Sequence, residues 1–71
     1  MNKTINQKND VKYHTQKIQS MFQELIDHLR DDIEKINEPQ AKAMFETSAE
    51  VLIGLKKTFE HYEKEQEKAW Q

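Results

Sequence analysis

The chain of 71 residues contains no cysteine, so a disulfide framework and a thiolate metal centre are both excluded. That absence favours an intracellular, cytoplasmic setting. The longest uninterrupted apolar run is Val51 to Ile53, far below the roughly 20 residues of a membrane span, and the first residues lack the apolar stretch of a signal peptide. The expectation is a protein with no membrane partner. Charge of one sign is also lacking: eleven basic and thirteen acidic groups leave a net charge of −2, which argues against a strongly basic nucleic-acid-binding surface. Glycine and proline occur once each, leaving almost no turn signals.

Size sets a further limit. A lone domain this small buries only about 60% of the surface its unfolded chain exposes, which excludes most autonomous enzymes with an enclosed pocket. Hydrophobic residues make up 35% and charged residues 34%, a balance more polar than that of an average domain.

What is present is helical periodicity. Residues 1 to 9, MNKTINQKN, are nearly all polar and read as a mobile arm. From Asp10, a candidate cap with Thr15 as an alternative start, Val11, Ile18, Met21, Phe22, Leu25, Ile26, Leu29, Ile33 and Ile36 recur at spacings of three, four and seven. At helical pitch they share an arc of roughly 140°, the width of a core-facing helix side. Asn37-Glu38-Pro39 is the one turn with a mechanism, because proline suits a first helical position while the residue before it is driven out of the helical region. The second stripe, Ala41, Met44, Phe45, Ser48, Val51, Leu52, Leu55, Phe59, Tyr62 and Trp70, occupies about 120°. Gly54 falls on the opposite side, and Ile53 reads as an isolated surface residue off the arc.

The sequence thus predicts an all-α fold. A helix over about 10–37, a turn at 37–39 and a helix over about 39–70 form an antiparallel two-helix hairpin. The arcs are wider than a two-helix seam needs, so the expected assembly is a homodimer closing into a four-helix bundle. A second hairpin would cover Met21, Ile26, Ile33, Met44 and Val51 on the flanks of the seam.

Candidate chemistry centres on Asp32, a carboxylate in the middle of the first apolar arc. His28 and Lys35 are within helical reach, and Ser48 is expected nearly opposite. The functional readings of His28, Asp32 and Ser48 are a metal site shared across the dimer or a hydrolytic triad. Against the triad, mid-helix amides supply no oxyanion hole. The structural reading is a buried polar layer that fixes register, and it is favoured. Glu24, His28 and Asp32 follow at intervals of four and are the candidate metal ligands, but the glutamate-x-x-histidine pattern of di-iron bundles is missing, and no cofactor is expected. His14 is expected near Tyr62, Glu63 and Gln66; a contact with Glu63 would close the open end of the hairpin, but the favoured reading is that both groups reach water where the helices fray, and His61 faces outward. The remaining aromatics read as core, with Trp70 a possible partner anchor. Lys3, Lys8, Lys12 and Lys17 make the first twenty residues basic, which raises nucleic-acid contact as a weak alternative. The leading expectation is a non-enzymatic protein-protein interaction module, structural, adaptor or regulatory. Its rival is a metal-binding bundle using His28 and Asp32.

Overall fold

The computed structural model describes residues 10 to 70, with side chains as far as Gln66. Two helices account for nearly all of it: α1, Val11–Ile33, and α2, Pro39–Trp70. They pack against each other as an antiparallel hairpin. The basic arm and the side chain of Trp70 lie outside the described residues.

Each helix start is capped by a carboxylate. Asp10 sits in extended conformation before α1, and its Oδ1 accepts the Lys12 amide at 3.0 Å. This satisfies one of the amides that a helix start leaves without an internal partner. At α2 the residue before Pro39 does the same work: Glu38 Oε1 accepts the Ala41 amide at 2.7 Å and Oε2 the Gln40 amide at 3.4 Å. Proline then occupies the first helical position, where no donor is needed.

The first helix stops at Ile33, one turn earlier than the periodicity through Ile36 suggests. Lys35 N–H donates to Asp32 O at 2.9 Å and Ile36 N–H to Ile33 O at 3.4 Å, so the chain tightens into a turn over 34–38. The connection is therefore longer than the turn expected at 37–39, and it spans the gap of about 8–10 Å usual between packed helix axes. Ile36 still folds back and remains half-buried.

The seam between the helices is displaced from the centre of both apolar arcs. Ile26 is 1% exposed and Ala49 5%, and these two are the buried hydrophobic side chains. Around them Ile18, Phe22, Leu29 and Ile33 meet Phe45, Leu52, Ile53 and Phe59, all half-buried. Phe22 and Phe59 make an edge-to-face contact with centroids 5.6 Å apart. On a helical wheel the seam is rotated roughly 60° from the middle of each arc. Two expectations are corrected as a result. Ile26 and Ile33 belong to the seam, not to its wet flanks, and Ile53 is half-buried against it instead of standing alone at the surface. Ala49, which lies off the arc, was invisible as a core residue because alanine adds little to a hydrophobic stripe.

The rotation splits each stripe. One flank closes the hairpin, and the other is left on a common open face carrying Val11, Met21, Leu25, Met44, Val51, Leu55 and Tyr62, each 43–59% exposed. Gly54 lies away from the seam, with nothing within 4 Å of the position a Cβ would take.

Candidate functional site: the open apolar face

The open face is built from successive turns of both helices. Near the hairpin's open end Val11, Thr15, Thr58, Phe59 and Tyr62 line a shallow hollow. Farther along, Ile18, Met21, Phe22 and Leu25 line a second, edged by Glu24 and His28. Leu25, Leu29, Val51 and Leu52 surround a third with Thr47 and Ser48. The second and third hollows share Leu25, and the contact of Phe22 with Phe59 joins the second to the first, so the face is one continuous apolar strip.

The back of the hairpin differs chemically. Its hollow is lined by Arg30, Glu34, Glu46 and Glu50 around Ile33, Ala49 and Ile53. Lys56 Nζ donates to Gln23 Oε1 across the seam at 2.8 Å and lies 3.6 Å from Glu60, and Gln23 Nε2 donates to Asp27 at 2.8 Å. Gln19 Nε2, enclosed on the same side, has no hydrogen-bond partner.

The polar candidates sit at two ends of the open face. His28 Nδ1 and Asp32 Oδ2 are 3.0 Å apart, with the histidine side chain 73% exposed and the carboxylate 33%. A pair this open contributes roughly 0–1 kcal/mol. Lys35, the other candidate partner of Asp32, instead pairs with Asp31 at 3.0 Å. The Lys35 ammonium is held above the ordinary lysine value by its hydrogen bond and charge contact with Asp31, with a smaller contribution from Asp32.

Ser48 is half-buried on α2, and among the described residues no hydrogen bond joins it to His28 or Asp32. None of the described polar or charged residues of the single hairpin is buried. Glu24 is exposed at the rim of the face beside His28. Among the described residues no three histidine, cysteine, aspartate or glutamate side chains group closely enough to hold a metal ion.

At the open end Glu63 Oε2 accepts the Thr15 hydroxyl at 2.5 Å. Thr15, expected only as an alternative helix start, thus supplies a contact across the open end. Thr15 lies on the seam side of α1, while His14 is on the open face, exposed, with its ring edge-to-face against Tyr13 at 5.2 Å. His61 is exposed, on the outward side of α2.

No helix among the described residues is long and apolar enough to cross a membrane. The chain matches no family model, and neither curated proteins nor solved structures give a match.

Proposed function

We propose that the hairpin is a small non-enzymatic protein-protein interaction module, structural, adaptor or regulatory, that works as a homodimer. Two copies bury their open faces against each other and close a four-helix bundle. The observation that carries this is the set of seven large apolar side chains left 43–59% exposed on one face. Each leaves on the order of 80–100 Å² open, so together with their half-buried neighbours they approach the roughly 800 Å² per partner that a stable interface covers. Such a patch exceeds what monomers ordinarily leave in water.

Energetics support the same reading. With only Ile26 and Ala49 buried among the described hydrophobic residues, one hairpin has little apolar burial to set against the entropy of ordering two long helices. A second copy converts the wet flank of each stripe into core without adding a new kind of residue. The back face, with charged and amide side chains linked to one another, stays in water and is available to further partners.

Folding coupled to dimerisation makes stability depend on concentration. The melting temperature is expected to rise by several degrees between about 1 and 100 μM chain, since a hundredfold change in free partner is worth about 2.7 kcal/mol. A midpoint independent of concentration overturns the proposal.

A further inference from the structure

We infer that the two copies pack end over end, α1 on α1 and α2 on α2, so that His14 of each copy meets the partner's Asp32. The inference rests on the dimer proposed above and specifies its geometry. Two like faces can be joined about either of two axes lying in the interface plane. With the axis along the helices, both turns lie at one end and α1 covers the partner's α2. With the axis across the helices, the turns lie at opposite ends and each helix covers its own copy, antiparallel.

The open face of α1 has the pattern that the second arrangement requires. About a centre at Gln23, Met21 and Leu25 are two residues to either side, Ile18 and His28 five, and His14 and Asp32 nine. Turned end for end, Met21 meets the partner's Leu25, Ile18 meets the partner's His28 at the edge of the strip, and His14 and Asp32 fall on each other. One is a carboxylate and the other a base able to carry a proton. Asp32 already pairs with its own His28 at 3.0 Å, and burial at an interface makes a second basic contact from the partner's His14 favourable to the carboxylate.

The wet edge of the same face agrees. Asp10 is thirteen residues before the centre and Lys35 twelve after, while Lys17 is six before and Asp31 eight after. Antiparallel pairing brings Asp10 level with the partner's Lys35 and Lys17 level with the partner's Asp31, opposite charges in both cases. Glu24, beside the axis, meets its own copy at the solvent-exposed rim. In the alternative arrangement α1 would lie along the α2 edge of Ala43, Thr47, Gly54 and Thr58, whose charged and titratable groups, His61 and Glu65, stand at the open end, away from Asp31 and Lys35. Asp32 would then face the stretch around Met44 and Ser48, with a hydroxyl but no cation.

The chain has no cysteine, so a single Asn37→Cys in the exposed turn can carry a spin label. Fourteen residues separate Asn37 from Gln23, which at 1.5 Å per residue places the two labels about 40 Å apart in the end-over-end dimer. Pulsed electron-electron resonance is expected to give that distance. A labelled dimer with a separation below about 25 Å, as side-by-side turns require, overturns the arrangement but leaves the dimer standing. A monomer mass with no dipolar coupling overturns both.

Charge exchange tests the pairing itself. His14→Asp and Asp32→His are each expected to weaken dimerisation about tenfold, and the double variant to recover to within about threefold of the original. Single losses without recovery in a chain that still dimerises show that these two residues do not meet.

Discussion

The two faces of the hairpin use similar numbers of side chains to opposite ends. On the back, Gln23, Asp27, Lys56 and Glu60 engage one another across and along the helices, and Arg30 stands among Glu34, Glu46 and Glu50. Apart from the enclosed Gln19 Nε2, the polar groups of that face engage one another or lie open to solvent. On the front, Leu25, Val51 and Leu55 have neighbours to the side and solvent above. The difference follows from a single geometric fact, the rotation of the seam away from the middle of each apolar stripe. Had the seam been centred, both faces would show a modest apolar margin; instead one shows nearly all of it.

The largest effect expected from breaking this asymmetry comes from Leu25→Asp, which places a charge at the centre of the front. It should weaken self-association at least about 100-fold, because a carboxylate without a partner is costly to bury. Glu46→Gln on the back should change association less than about threefold, as surface charges away from a contact contribute little. Both are read by sedimentation of the variants.

Next in size is the shared core. Ile26→Ala is expected to lower unfolding stability by about 2–4 kcal/mol in a urea titration, because the side chain is 1% exposed and its removal leaves a void between the helices. Glu38→Ala, which frees the Gln40 and Ala41 amides at the start of α2, should cost about 1 kcal/mol in the same measurement.

The smallest effect concerns Lys35. Its raised value means that its pairing with Asp31 is fully in place below the ordinary lysine value of 10.5 and is lost as pH rises through the higher folded value. Lys35→Gln should therefore leave the melting temperature unchanged to within measurement between pH 6 and 9, and any difference from the original chain should shrink further above pH 10.5.

The hairpin was legible in the sequence because two stripes of three-and-four spacing flank one proline, and Pro39 can only begin a helix where it stands. The orientation of the seam was not. A stripe some 140° wide offers several lines along which two helices could meet, and the choice is made by residues that hydropathy ranks low. Ala49 permits close approach at the seam, and Lys56 lays its stem along it to reach Gln23. The same low ranking hid Thr15 and its bond to Glu63. Of the polar candidates, the pairing of His28 with Asp32 follows from four-residue spacing on one helix, whereas the place of Ser48 depends on seam orientation, which the stripes leave open. Glu38 as a cap escaped notice because the proline beside it already explained the turn.

Sedimentation equilibrium of the full chain at micromolar concentration tests the central claim most directly. The account predicts a mass of twice the 8.5 kDa chain, with unassociated chain appearing only on dilution. A folded species holding the single-chain mass across that range would contradict it, because the open face would then stand in water with nothing to cover it.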